Sequence, residues 1–177
     1  GSERAPFVLD VLNSNDSETA QFDLEVSGLY HRLSFRLADQ LFMQLRQVAG
    51  MKLIEKKSGI REKIYHVLDQ GEIMGLVGDQ GRGQSIQFFG RKTNFPLGPA
   101  ETALMKNVPM IFTICVRRGK YLDMKVLEEI PLQEGEDDNQ IVYNTTQTYI
   151  KRLERLISEY PEQYFWLHDI WKQFKRQ

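Results

Sequence analysis

The stretch Glu72–Gln80, "EIMGLVGDQ", decides how this chain is read. From Ile73 to Val77 it is nearly unbroken apolar sequence, and glycines at 75 and 78 permit close backbone approach, so it predicts a buried strand. An acid and an amide, Asp79 and Gln80, stand where that strand stops. Upstream, Ile60, Ile64, Val67 and Leu68 recur at helical spacing between Gly59 and Gly71, and Lys52–Glu55 reads as a short strand. Further back, Leu37, Leu41, Leu45 and Val48 predict another amphipathic helix, closed by Gly50. Helix, strand, helix, strand in succession is the pattern of parallel βαβ units. Ligands in such sheets gather at the carboxyl ends of strands, which makes Asp79 and Gln80 candidate site residues.

Downstream of the strand, "SIQFFGRKTNFPLG" (85–98) reads as a long structured loop anchored by Phe88, Phe89 and Phe95, with Pro96 and Gly98 as hinges. Pro99 suits the first position of a helix over "PAETALMKN". "VPMIFTICV" (108–116) predicts the strongest core strand, and "RRGK" a tight turn into "YLDMKVLEEI". An acidic loop, "QEGEDDN", precedes the longest helix, about 139–159, and Pro161 restarts the chain as a short terminal helix through "PEQYFWLHDIWKQFK". Residues 1–27 form an acidic leader in which "FVLDVL" and "AQFDLEVSG" are candidate strands. Its first two residues, Gly1-Ser2, read as the remnant of a cleaved tag.

Composition bounds the function. The chain has 177 residues with 23 basic against 24 acidic side chains, 41% hydrophobic and 11% aromatic, as expected of one globular domain. The balanced charge gives no reason to expect a nucleic-acid partner. Between residues 28 and 63, however, eight Lys or Arg face three acids, a local bias that suits either phosphate groups or a solvated surface. No stretch of 18 apolar residues is present, so no spanning helix is expected. The single cysteine, Cys115, sits in an apolar run and reads as a buried small hydrophobe. "GDQGRG" has neither GxGxxG spacing nor the Walker A lysine, which excludes the usual nucleotide loops. The three histidines, His31, His66 and His168, are too dispersed for a zinc site, and no metal is expected.

Three blocks taken together, "KKSGIREKIYHVLDQGEIMGLVGDQ" (56–80), "FFGRKTNFPLGPAETAL" (88–104) and "YPEQYFWLHDIWK" (160–172), resemble the bacterial lipid A biosynthesis acyltransferases, the late lauroyl and myristoyl transferases. The resemblance covers about residues 28–177. It implies an α/β layered fold like that of the glycerol-phosphate acyltransferases, with a mainly parallel central sheet, here incomplete at the N-terminus. It also implies an acyltransferase of lipopolysaccharide and lipid metabolism, a membrane protein of the cell inner membrane placed peripherally on its cytoplasmic face. The acyl donor would be an acyl carrier protein thioester and the acceptor a hydroxyl of a Kdo-bearing lipid A precursor, at a membrane surface, with no further cofactor. Among the matching positions, Arg61, Asp79, Gln80, Arg91, Pro96 and Gly98 would bind substrate. Phe88, Phe89, Phe95, Trp166 and Trp171 would meet the acyl chain or the membrane. Glu162, His168 and Lys172 match the closing block.

One departure is large. The family's histidine followed five positions later by an acid is not found, since those positions hold Arg36, Gly71 and Gln173. A hydroxyl attacks a thioester only once a base takes its proton. A guanidinium such as that of Arg61 stays protonated, and Asp79 is a weak base at neutral pH unless burial raises its pKa. Either the catalytic histidine belongs to sequence outside this chain or a divergent part of it, or the protein is a non-catalytic lipid- or partner-binding module on the same scaffold. The catalytic residue is therefore unassigned.

Overall fold

The computed structural model describes residues 26–30, 40, 44, 52–79, 83–166 and 171. Three strands, β1 (Val26–Tyr30), β2 (Lys52–Glu55) and β3 (Ile73–Gly75), form a parallel sheet in the order β2-β1-β3, with α1 (Ile60–Asp69) carrying the chain from β2 to β3. The register pairs Ser27 with Lys52 on one side and with Met74 on the other. Helix α1 starts after Gly59, which sits at φ +75°, and buries Ile64 and Val67 while its remaining faces stay wet. This is the βαβ unit expected from the alternating periods. Gln40 and Gln44 are helical and exposed, as the polar side of the first predicted helix requires. The other residues of that helix, and "FVLDVL", lie outside the described residues.

The strand through Ile73–Val77 differs from expectation. It ends at Gly75, and Ile73 is 43% and Val77 69% exposed. The reason is position: among the described residues β3 pairs only with β1, which leaves it at the edge of its sheet. An apolar run looks the same in sequence whether one neighbour or two cover it.

The expected loop 85–98 is instead a β-hairpin, β4 (Gln84–Phe88) and β5 (Arg91–Phe95), in antiparallel register with Phe88 opposite Arg91. Its two-residue turn, Phe89-Gly90, has positive φ at both positions, 47° and 72°. That backbone matches the twist of a hairpin but is ordinarily reserved for Asn-Gly or Asp-Gly. Phe89 is held there by its surroundings. Its N–H donates to the Glu154 carboxylate at 2.5 Å, and its ring packs edge-on against Phe88 at 4.8 Å. The other hairpin end is closed by Gly83, where a Cβ would lie 1.7 Å from the Phe95 carbonyl oxygen.

Helix α2 (Gly98–Lys106) follows, with Pro99 in its first turn and Ala100 and Ala103 buried. Strands β6 (Ile111–Arg118) and β7 (Tyr121–Glu129) make a second antiparallel hairpin, turned by Gly119 at φ +60° where "RRGK" predicted a turn. Strand β6 is covered on one face only: Phe112 and Val116 are buried, and Cys115, between them, is exposed rather than the buried hydrophobe expected. Period-2 alternation in a two-stranded sheet places every second residue of even an apolar strand outside. Helix α3 (Asp138–Glu159) is capped by Asp137, whose carboxylate accepts from the Gln140 N–H at 2.8 Å. Of the terminal helix predicted from Pro161, the described residues show one 3₁₀ turn, Pro161–Gln163, after which Tyr164 is extended. Residues 167–170 and 172–177 lie outside the described residues.

The core is built where the β4–β5 hairpin meets α3. Ile86, Phe88 and Phe95 are at most 1% exposed and join Phe112, Tyr149, Ile150, Leu153 and Ile157. Each such side chain contributes roughly 1.5–3 kcal/mol by leaving water. Because α3 is amphipathic and carries Lys151, Arg152, Glu154 and Arg155 opposite that stripe, it is not an apolar span. Among the described residues no helix is long and apolar enough to cross a membrane. The expectation of a membrane protein of the cell inner membrane is corrected accordingly and carried no further.

The Gly83 contact gives a test. Gly83→Ala is expected to lower stability by about 2 kcal/mol or more, because backbone rather than a flexible side chain stands in the way. Gly98→Ala, with nothing within 4 Å of the added carbon, should stay within about 0.5 kcal/mol. Urea denaturation of the two variants measures the difference.

Candidate functional site

Where β3 ends, the chain runs past α3 with Gly78 against Tyr149. A Cβ at position 78 would stand 3.0 Å from both the Tyr149 ring and its hydroxyl, so the phenol would have to give by a few tenths of an ångström to admit one. Asp79 is the next residue. Tyr149 is buried on the inner stripe of α3, and its ring meets Phe112 edge-on at 5.3 Å. Tyr164, just past the 3₁₀ turn, stacks edge-on with Trp166 at 5.0 Å and lies 6.4 Å from Phe88.

Both phenols are shifted by the same surroundings. Burial, then the negative charge of Asp79, pushes the Tyr164 hydroxyl up to about 12. Burial, with Asp79 next, drives Tyr149 further up. Ionising either phenol would put a second anion beside Asp79 in a poorly hydrated place. At neutral pH both hydroxyls are therefore protonated and able to donate.

A cavity of about 150 Å³ opens beside this group, with Gly78 and Tyr149 in its wall together with Met74 and Leu76 from the β3 segment, Ala103 from α2 and Phe112 from β6. Its lining is apolar and polar in like measure, with Tyr149, Thr102 and Thr113 among its residues. It is smaller than the roughly 300 Å³ at which pockets for whole small molecules begin.

The remaining predicted site residues are distributed around this centre. Arg61, in the first turn of α1, pairs with Glu101 in the first turn of α2 at 3.5 Å, both largely in water. Lys106 pairs with Asp69 and sits over the Tyr65 ring, so the two helices are joined at both ends. Exposed pairs of this kind contribute about 0–1 kcal/mol each and orient more than they stabilise. Arg91 leaves the hairpin turn and lies 5.5 Å over the Trp171 ring. Pro96 and Gly98 form the link from β5 into α2. Phe88 and Phe95 are core residues; Phe89 and Trp166 are partly exposed, with their rings 6.3 Å apart. Trp171 packs on Phe88 at 5.8 Å. Gln80, His168 and Lys172 lie outside the described residues. His66, in the last turn of α1, is exposed. Among the described residues there is no group of three or more His, Cys, Asp or Glu placed to hold a metal.

Sequence reasoning named Asp79 as a candidate and did not single out the two phenols whose proton affinity its charge helps raise. Tyr149 reads in sequence as one more apolar position of a long helix, and Tyr164 as part of an aromatic tail. The one local signal is Gly78, an unneeded glycine directly before the acid, which marks a close approach without saying by what.

Residues 20–173 match the model of a family described as bacterial lipid A biosynthesis acyltransferase. A comparison with curated proteins returned no match.

The raised phenols predict how stability depends on pH. Their folded-state affinity for the proton exceeds the ordinary value of 10.0, so their contribution is complete below pH 10. Above that the unfolded state loses protons that the folded state keeps, and stability falls as pH rises toward about 12. Tyr164→Phe is expected to flatten this decline, read as the slope of the urea midpoint between pH 9.5 and 11.5.

Proposed function

The chain belongs to the bacterial lipid A biosynthesis acyltransferase family, and on that premise we propose that it moves a fatty acyl chain from acyl carrier protein to a hydroxyl of a Kdo-lipid A precursor. The layering is then that of the glycerol-phosphate acyltransferases, over an acyltransferase-like domain of residues 28–177 that follows a separate acidic leader. The observation that carries the reading is a cavity just past a parallel strand, walled by Gly78, the residue before Asp79, and lined by apolar and polar surface together. An acyl donor has an apolar tail and a polar reacting end, and such a junction holds both.

In this reading the acceptor oxygen attacks the thioester carbonyl carbon. A carbon–oxygen bond forms, the carbon–sulfur bond breaks, and the hydroxyl proton leaves as the carrier thiolate regains one. Asp79 and Gln80 hold the acceptor beside the cavity. Arg61 and Arg91 meet anionic groups of the two substrates, Arg61 by exchanging its exposed contact with Glu101. Pro96 and Gly98 set the direction of the link that carries α2 to the cavity wall. Phe89 and Trp166 offer exposed aromatic surface to acyl carbon, supported from within by Phe88, Phe95 and Trp171. The localisation that goes with this reading is peripheral, on the cytoplasmic side.

A specific observation favours a second reading, a lipid- or partner-binding module without turnover: none of the three histidines has an acid five positions on. Acyl transfer measured with an acyl carrier protein donor and a Kdo-lipid A precursor separates the two. The enzyme reading expects turnover by the chain, lowered about a hundredfold in Asp79→Asn and at least about tenfold in Arg61→Ala. Binding of the lipid with no turnover in the unaltered protein selects the module.

A further inference from the structure

We infer that Lys92, Lys151 and Arg155, with Arg91 at the hairpin turn, form a docking surface for an acidic protein face, and that in the proposed reaction this face belongs to the carrier that brings the acyl chain. The inference deepens the proposed function and rests on it for the identity of the partner. The surface itself stands on charge and position.

It is built where α3 runs beside the β4–β5 hairpin. Along one flank of α3 the Gln147 side-chain amide donates to the Gln87 carbonyl at 3.3 Å, and the Glu154 carboxylate accepts from the Phe89 N–H. Lys151 falls between these two contacts, one turn from each, and Arg155 one turn beyond Lys151. The two cations therefore share a side of the helix, about 6 Å apart along its axis. Lys92 is the register partner of Gln87, one strand across, and Arg91 that of Phe88. All four are exposed.

Their charge is not neutralised locally. Among the described residues no acid pairs with Lys92, Lys151 or Arg155, and Arg91 meets the Trp171 ring. Glu154, on the same flank, is taken up by the hairpin turn, and Glu159, one turn past Arg155, stands at the Tyr160 hydroxyl. Arg152, next to Lys151 in sequence, turns to β7 and pairs with its Glu128. Lys52, Lys57, Arg61, Lys106 and Arg118 likewise each meet an acid. In a chain with 23 basic against 24 acidic side chains, four unbalanced cations at one end make a local positive field. Such a field speeds and orients encounter with an anionic partner.

Spacing favours a protein over a lipid surface. Lys151 and Arg155 stand at the separation at which acids at i and i+4 of a second helix present their carboxylates. Lys92 adds a third point off that line, so the set fixes a register as well as attracting. Phe89 and Trp166, 40% and 46% exposed with rings 6.3 Å apart, give the surface the apolar centre that charges alone lack. A carrier docked here brings its acyl chain to the two rings that the proposed reaction assigns to acyl carbon.

The test is binding of holo acyl carrier protein to the full chain, read by fluorescence anisotropy at low salt, with turnover as a second readout. The triple variant Lys92→Glu, Lys151→Glu, Arg155→Glu is expected to weaken binding at least about tenfold and each single change about two- to threefold. Affinity of the unaltered protein should fall as salt screens the contact. KM for the carrier-borne donor should rise in step, while kcat and the KM for the same acyl group on free pantetheine stay within about twofold. The single variants, at exposed positions, keep the test open should the triple variant fold poorly. Unchanged carrier binding in the triple variant overturns the inference, as does absence of carrier binding by the unaltered protein. Loss of binding to phosphatidylglycerol vesicles with carrier affinity unchanged gives the surface to lipid and overturns it too. Charge-dependent carrier binding by a chain that transfers no acyl group upholds the docking surface and rejects the enzyme reading.

Discussion

The burial of one face of the β4–β5 hairpin against α3 is the constraint from which the rest of the structure follows. Ile86, Phe88 and Phe95 supply the hairpin side of that interface, and Tyr149, Ile150, Leu153 and Ile157 the helix side. The hairpin turn requires a backbone conformation that costs Phe89 of order 1–3 kcal/mol. The Glu154 carboxylate at its N–H and the packing of its ring offset that cost. Closing the opposite end needs Gly83 beneath the Phe95 carbonyl. A hairpin with these two unusual ends keeps its register because the helix beside it leaves no other arrangement that buries the same residues.

With α3 fixed in this way, the position of Tyr149 is no longer free, and the site is a consequence. Its ring meets Phe112 of β6 on one side and the Gly78 backbone on the other. The cavity lies where the β3 segment, α2 and β6 all reach toward that ring without filling the space. The parallel sheet brings the chain to Gly78 in the cavity wall, and the antiparallel parts supply the aromatic surroundings.

The charged groups around this centre act more weakly. The pairs Arg61–Glu101 and Lys106–Asp69 join α1 to α2 in water and set their relative direction more than their stability. Among the described residues Arg61 holds only this exposed partner, while Arg91 lies over the Trp171 ring.

The amino-acid sequence by itself determined the βαβ unit, the helix between Gly59 and Gly71, the long helix from about 139 to 159, the Gly119 turn, the family and the candidacy of Asp79. Each of these rests on a local period, a turn residue or an ordered set of short motifs. Tertiary structure alone decided that Phe88-Phe89-Gly90-Arg91 is a hairpin turn, because the energy that holds Phe89 at positive φ comes from Glu154, 65 residues away. It also decided that Ile73 and Cys115 face outward, because an apolar run does not record how many strands will flank it. Tyr149 met Gly78 for the same kind of reason. The two lie far apart in the chain, and what brings them together is the packing of a helix against a hairpin, which leaves no periodic trace in either segment.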